Sequence, residues 1–508
     1  ELHKEQEETA KVRISRLRCE NELYPDYTDA IEIIDNNGIS TELLSKIILK
    51  HKNNAVFNRA LYNRYMTLQS EVPILNRKSR FKVDKGEPIN NKLVNDFFGE
   101  IIDFGTGYFA GKPIGYAYSR TEESLEDTEG EEQALKAAAK ALSDFVTRNN
   151  MADKDMEATR FAAICGYAGR LFYHDRDGAE RVMIVPPYET IILAETDISE
   201  PKYAIRYYYT DDINGNRIWH AEFYDSAECV CYKGASVDSL SEISREPHYF
   251  GNCPLQGIPR NLEMMGDAEK VLTLIDAYDR CTSDCSNQIE GEVNSKTVYK
   301  NIQTTDEEIQ KSNITGAITV TDPTGKGDIY KLNNNVNDGF TEHHLERLKN
   351  NIYRFSKTPN LSDETFGTAS GESLKFKLTG HETKCGMFQA KMMSAGVYMF
   401  KLLGFCFNAR KIAFDPLQCV MSFKRNFPIA MLNEAQTAQA LISAGVPEEV
   451  AYSEALSFVD DIDYLMQLKE REKGNIPSLA DNIKEDFEVT EDVREETDID
   501  DDEDKSEE

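Results

Sequence analysis

Two cysteine pairs and two histidine clusters are the groups in this 508-residue chain whose type and spacing could do chemistry. Cys281 and Cys285 stand one helical turn apart, so their thiolates could share a tetrahedral metal if another segment supplied two further ligands. No paired Cys or His motif accompanies them, and packing into a core is the favoured reading. Cys229 and Cys231 alternate along an expected strand and share one of its faces, which leads to the same reading. His343 and His344 with Glu346, and His381 with Glu382, carry ligand types without an HExxH spacing, and surface or interface positions are expected for them. Gly325-Lys326-Gly327 lacks the earlier glycine and the following hydroxyl of a phosphate-cradling loop, and the sequence has no Gly-x-Ser-x-Gly elbow. The expectation is a protein that is not an enzyme, with no catalytic residue, no cofactor and no metal.

Architecture must then carry the function, and its most informative stretch runs from 248 to 378. Residues 266–290 set Val271, Leu274, Ile275, Tyr278, Cys281, Cys285 and Ile289 at helical spacing, with Asp276, Asp279, Arg280 and Asp284 largely between them. One side of this helix expects a neighbour. A second helical pattern over 339–355 carries Phe340, Leu345, Leu348, Ile352 and Phe355, and Pro359 stops it. Between the two, the runs Ile318, Val320 and Ile329, Tyr330, separated by Asp322-Pro323-Thr324-Gly325, predict strands joined by turns over 297–332. A polar, small-residue loop at 362–371 leads into a helix over 372–408, which would span roughly 55 Å if unbroken.

Upstream, residues 2–65 read as helical, with a turn at 35–38 and a short helix over 40–52. Residues 92–104 read as an amphipathic helix ending in a 105–115 segment, 122–132 as an exposed acidic loop, and 133–149 as an alanine-rich helix. Hairpins are expected at 171–174 with 181–185 and at 203–210 with 217–224. Downstream, Asn433 is placed as the cap of a helix over 434–444; Gly445-Val446-Pro447 breaks it, and a helix resumes over 448–473.

Length allows two to four structural units, and 40% apolar residues supply real cores. Acidic residues number 89 against 58 basic ones, a net charge of -31. That is the wrong sign for gripping phosphates over a broad surface, so DNA wrapping and sequence-specific binding are disfavoured. It is compatible with a conduit whose walls must not hold a passing duplex, and equally with a charge that keeps a large assembly soluble. Ten scattered cysteines without a framework spacing read as buried, reduced thiols of a cytoplasmic protein. The chain opens at Glu1 without a charged-then-apolar leader, which reads as a trimmed start lacking a secretion signal. Lys391, Lys401, Arg410 and Lys411 interrupt the most apolar region, 387–414, which is expected to be a packed helix and not a membrane span. Residues 481–508 carry sixteen acidic and three basic residues and few apolar ones, so a solvated, disordered tail is expected there.

Four segments in order, GYFAGKPIGY at 107–116, HYFGNCPLQGIPRN at 248–261, GDAEKVLTLIDAYD at 266–279 and SGESLKFKL at 370–378, give the chain a family resemblance. It resembles the portal proteins of tailed double-stranded DNA bacteriophages, of the long non-contractile-tail type of Gram-positive hosts. The resemblance covers about 91–412. Two departures are Glu372, where the family more often has a small apolar residue, and the length of the acidic C-terminus.

The resemblance implies an α+β, mainly helical portal fold with wing, stem, clip and crown regions, assembling into a ring of about twelve subunits around a central channel. By that analogy 1–265 is the N-terminal part of the wing, with its hairpins. Residues 266–290 and 336–361 are the two stem helices, carrying Val271, Leu274, Ile275, Tyr278, Leu345, Leu348 and Ile352, and 291–335 is the clip between them. Residues 362–371 are the tunnel loop, in which Ser362, Asp363, Glu364, Thr365, Phe366, Gly367, Thr368, Ser370 and Gly371 would face DNA. Residues 372–425 are a long wing helix with a following strand, 426–474 the crown, and 475–508 the acidic tail. Lys375 and Lys377 either touch phosphates or pair with neighbouring carboxylates.

The implied function is a channel at one capsid vertex for DNA packaging and ejection, assembled in the host cytoplasm and carried in the virion. Its implied partners are double-stranded DNA, the terminase large subunit, head-completion adaptor proteins, and the major capsid and scaffolding proteins, with no membrane. Two other readings stay open. A nucleic-acid-processing enzyme with an unrecognised site would show a carboxylate metal cluster and turnover; a non-channel minor capsid or scaffold component would lack the clip, stem and loop order.

Overall fold

The structure is a computed structural model that describes residues 18–79, 89–118, 129–293, 297–300, 327–331, 338–361, 371–426 and 431–456, with isolated positions near 305 and 465–469. It divides into two compact units, 1–426 and 427–508. The first is mixed helix and sheet.

The first unit opens with α1 (Thr28–Asn37) and α2 (Thr41–Tyr65). Ser40 caps α2 by accepting from Leu43 N at 3.2 Å, but the helix runs thirteen residues beyond the expected end at 52. The reason is that the polar residues just beyond 52 point inward and find partners. His51 meets the hydroxyls of Tyr207 (3.0 Å) and Tyr167 (3.2 Å), Asn54 donates to the Glu22 carbonyl at 2.8 Å, and Asn58 donates to Asn54 at 2.9 Å. Buried polar groups that find partners can stay inside a helix.

Helix α3 (Phe97–Ala110) also departs from expectation. It begins five residues later than predicted, where Asp96 caps it through Gly99 N at 2.9 Å, and it continues through Gly105 and Gly107. Then come β1 (Gly115–Tyr118), α4 (Glu129–Asn149) and α5 (Met151–Cys165). Both predicted hairpins form. β2 (Tyr167–His174) pairs with β3 (Glu180–Val185). After β4 (Thr190–Leu193), β5 (Tyr203–Asp211) pairs with β6 (Arg217–Tyr224). With β7 (Glu228–Gly234) and β8 (Ser241–Pro247), these make a five-stranded antiparallel meander in the order β4-β5-β6-β7-β8. β9 (Leu255–Pro259) joins the β2–β3 hairpin from the other edge.

Helix α6 (Leu272–Val293) leads to β10 (Thr297–Lys300), which pairs with β11 (Asp328–Lys331), and α7 (Asp338–Ser356) follows. Ile329 and Tyr330 therefore lie in a strand as expected, whereas Ile318 and Val320 fall outside the described residues. α8 (Gly371–Ala409) is a single 39-residue helix, and β12 (Cys419–Ser422) pairs back with β1. By length and composition α8 could cross a membrane. Its Phe388, Met392, Ala395, Met399, Leu402 and Leu403 are instead fully covered by protein, which makes it the core helix of the unit.

Three cores follow. The meander packs its Ile191, Ile205, Phe223 and Val230 on α1 and α2. Helices α4 and α8 enclose Phe145, Phe172, Phe250 and Met399. A third core, at the root of α6 and α7, holds the candidate site.

In the second unit, α9 (Met431–Ser443) and α10 (Glu448–Ala455) pack Ala438 against Ala455 and Leu456. α9 starts at Met431, so Asn433 lies inside its first turn and does not cap it; Met and Leu are the better helix formers and extend the helix backward. The break at Gly445 is as expected, with φ of 92°. All ten cysteines are free, but only Cys165, Cys253, Cys385 and Cys406 are buried, and Cys19 is exposed. The acidic stretches at 119–128 and 470–508 lie outside the described residues.

Candidate functional site

The two predicted stem helices meet at their roots. Val271, in the short turn before α6, and Ile275 are buried, as are Leu348 and Ile352 of α7, while Leu274, Tyr278 and Leu345 are half-buried. Val271, Leu274, Ile275, Tyr278 and Ile352 share one core with Phe57 and Leu61 of α2, Phe97 and Ile101 of α3, and Ile164 of α5. Phe97 stands edge-on to both Tyr278 (4.9 Å) and Tyr353 (5.8 Å), and the Tyr353 hydroxyl donates to Glu100 at 2.9 Å. Farther along the helices the apolar stripes leave this core: Ile289 and Phe340 are 66% and 73% exposed.

A layer of buried ion pairs surrounds the root. Arg260 donates from Nε and Nη2 to Asp267 at 2.9 and 2.7 Å, and Lys384 Nζ of α8 lies 3.1 Å from the same carboxylate. Burial alone would push the Asp267 carboxyl up, but the two cations prevail and hold it down at about 2. Arg18 makes a two-pronged pair with Glu269 at 2.7 and 3.1 Å, with both side chains 2% exposed. There burial outweighs the arginine, and the Glu269 carboxyl lies above its usual range. Arg64 of α2 pairs with Asp276 of α6. Gly105 of α3 makes room for this layer, because a Cβ there would sit 3.3 Å from Asp267 Oδ2.

The polar side of α6 is engaged too. The backbone N–H groups of Asn91, Leu93 and Asn95 donate to Asn287 Oδ1 (2.6 Å), Ser283 Oγ (2.9 Å) and Asp279 Oδ1 (2.8 Å). Alternate residues of a near-extended chain advance about 6.6 Å. Four residues of helix advance about 6 Å, so the two repeats stay in register. This strap explains why residues 92–95 are not helical: their N–H groups are committed to side chains of α6. The spacing 279, 283, 287 of acceptor side chains on one helix face was the signal, and a reading of α6 by its apolar stripe passes over it.

α8 holds the end of α7 through two side chains. His381 donates from Nδ1 to the Lys357 carbonyl at 3.1 Å, and Lys384 donates to the Ser356 carbonyl at 3.2 Å. The His381 ring is buried, edge-on to Phe104 (4.8 Å) and Tyr108 (5.2 Å). The expectation of a surface or interface histidine is therefore overturned; aromatic neighbours on α3 and a backbone acceptor give the imidazole an interior place.

The model of the family "Phage portal protein, SPP1 Gp6-like" matches residues 45–478. The chain belongs to this portal protein family. The portal protein of Bacillus phage SPP1 is 22% identical over 425 residues, covering 78% of this chain and 79% of that protein. The portal protein of Clostridium phage phiCD119 is 22% identical over 436 residues, covering 81% of this chain and 90% of that protein. The resemblance read from the four segments is thus borne out.

Of the seven positions expected on the two helices, Val271, Leu274, Ile275, Tyr278 and Ile352 meet in one core, and Leu345 and Leu348 lie outside it. Ser362, Asp363, Glu364, Thr365, Phe366, Gly367, Thr368 and Ser370 lie outside the described residues; Gly371 opens α8, and Lys375 falls in its first turns. Lys377 is exposed on α8. Cys281 and Cys285 are half-buried, and His343 and His344 are exposed as expected, whereas Gly325-Lys326 lies outside.

Burial first, and then the charge of Lys384, hold the His381 imidazole at about 4, with Arg260 adding to the effect and Asp267 opposing it. An unfolded chain protonates this histidine near pH 6.5. The folded state therefore loses stability as pH falls from about 6.5 to about 4, approaching about 1.4 kcal/mol per pH unit for this one group. His51, held at about 3 by burial, adds a parallel contribution. Melting temperatures of H381Q and wild type measured from pH 7.5 to 4.5 should show a shallower decline in the variant. Parallel curves would remove His381 from the account.

Proposed function

We propose that this protein forms a ring of about twelve subunits that is the DNA channel at one vertex of a phage head. The observation that carries the reading is the family match over 45–478, which includes both stem helices and the hairpin between them. In this reading 1–265 and 372–425 are the wing, α6 and α7 the stem, 291–335 the clip, 362–371 the tunnel loop and 426–474 the crown. Double-stranded DNA passes through during packaging and ejection. The clip docks first the terminase large subunit and later the adaptor proteins, while capsid and scaffolding proteins meet the wing. The protein itself performs no turnover, and ATP hydrolysis resides in the terminase.

The exposed Ile289 and Phe340 support ring closure, since apolar stripes beyond the root need a cover that a neighbouring subunit's stem can supply. The root layer then has a mechanical role. Ion pairs and the 91–95 strap fix α6 to α3, while His381 and Lys384 fix the end of α7 to α8, so both roots of the loop around DNA rest on one rigid body.

With subunits of 57.6 kDa, native mass spectrometry of the purified protein should give a species of about 0.7 MDa, and electron micrographs should show an axial hole. A protein that stays monomeric at high concentration and with scaffolding protein present would overturn the channel reading.

A further inference from the structure

We propose that His174, Glu180 and Cys406 form a binding site for one divalent cation of the zinc type. His174 ends β2, Glu180 opens β3 directly across the hairpin, and Cys406 comes from α8. One ligand atom from each lies within 4.8 Å of the others, and Cys406 Sγ is 4.0 Å from His174 Nε2. Ligands bound to zinc at about 2.0–2.3 Å in a tetrahedron stand about 3.3–3.8 Å apart. The cluster needs a contraction of at most about 1.5 Å to close on an ion. Imidazole, thiolate and carboxylate together are a donor set for a borderline cation, and not for magnesium or calcium.

Three details mark the place as a site. The His174 ring is stacked on Phe250 at 4.5 Å, which fixes the direction of Nε2. Glu180 is completely buried, yet its Oε2 has no hydrogen-bond partner; Arg148 approaches it only to 3.5 Å. Cys406 is 5% exposed, and its thiol makes only long contacts, to the Tyr249 carbonyl at 3.5 Å and to His174. Arg410 and Arg148 balance the Glu180 charge. Their side chains are 43% and 32% exposed, so both can withdraw toward solvent when a dication takes over that role.

Binding exchanges the Cys406 S–H bond for an S–metal bond and releases that proton to solvent. Neutral His174 donates a lone pair, Glu180 one carboxylate oxygen, and water on the half-exposed His174 side completes the tetrahedron. The ion would pin the β2–β3 hairpin to the C-terminal end of α8. No sequence spacing announces it, because the three ligands come from separate segments and only the hairpin and helix packing bring them together.

Chelator-treated full-length protein titrated with zinc chloride, then desalted, should retain about one zinc per chain. Cobalt(II) should give a thiolate-to-metal charge-transfer band. Affinity should rise about tenfold per unit of pH, reflecting the single displaced proton. C406S and H174Q should each weaken binding by at least about tenfold and C406S should abolish the cobalt band, while C281S/C285S keeps both. H174Q alters a half-exposed ring, so it remains informative if C406S fails to fold; circular dichroism and native mass monitor that. No retained zinc in wild type, or retention unchanged in both C406S and H174Q, would overturn the proposal.

Discussion

Replacing Gly266 by alanine is expected to prevent accumulation of folded protein, or to lower its stability by about 3 kcal/mol or more. A Cβ at this position would lie 2.2 Å from the Ile164 carbonyl oxygen and 2.9 Å from that of Ala163. Both are backbone atoms at the end of α5, so no side-chain rotation relieves the clash. The chain has to part from α5 just where Asp267 N donates to the Ala163 carbonyl at 2.7 Å and Gly266 N to Glu269 at 2.6 Å. Separation would therefore unmake the root of α6 and the two buried ion pairs anchored there. Soluble yield, and urea unfolding of whatever is recovered, give the answer. For comparison, G130A places a Cβ in open space and should change stability by no more than about 1 kcal/mol, in the favourable direction. A G266A protein as stable as wild type would show that α5 and α6 are not held in the close approach described.

D267N is expected to cost about 3–5 kcal/mol, the range for removing one partner of a buried charge pair. The substitution keeps the shape but leaves Arg260, with its guanidinium over the Phe388 ring at 4.4 Å, and Lys384 without a counter-charge. The pH dependence supplies a second readout. Asp267 has a folded pKa of about 2, below its unfolded value near 3.9, so its contribution is present above pH 4 and disappears as pH falls toward 2. Wild type should lose this increment over that window, and D267N should not. S283A, which removes only the acceptor for Leu93 N at 2.9 Å, should cost about 1–3 kcal/mol without adding any such acid-range difference. Equal losses in the two variants would mean that the charge of Asp267 adds nothing beyond a hydrogen bond.

Much of the chain was legible before any coordinates. The apolar stripes of α6 and α7, the two β hairpins, the uninterrupted α8 and the break at Gly445 follow from period and turn chemistry, which are local properties. Errors came where polar residues face inward. The helix expected over 40–52 stops short of the inward Asn54 and Asn58, the one expected from 92 takes in residues 92–95, and His381 is expected at a surface or interface, because a sequence pattern records polarity and not the partner that satisfies it.

By itself, then, the sequence determined the helical pair around a β-rich insert, the absence of recognised catalytic motifs and the family, since ordered segments and helical periods are written along the chain. Only the tertiary structure decided that alternate N–H groups of 91–95 fit the fourfold spacing on α6, and that Asp267 gathers Arg260 and Lys384. It alone brought His174, Glu180 and Cys406 to one point. Those meetings depend on how distant segments pack in a low-dielectric interior, where an unpaired polar group is expensive and partners are chosen by position in space.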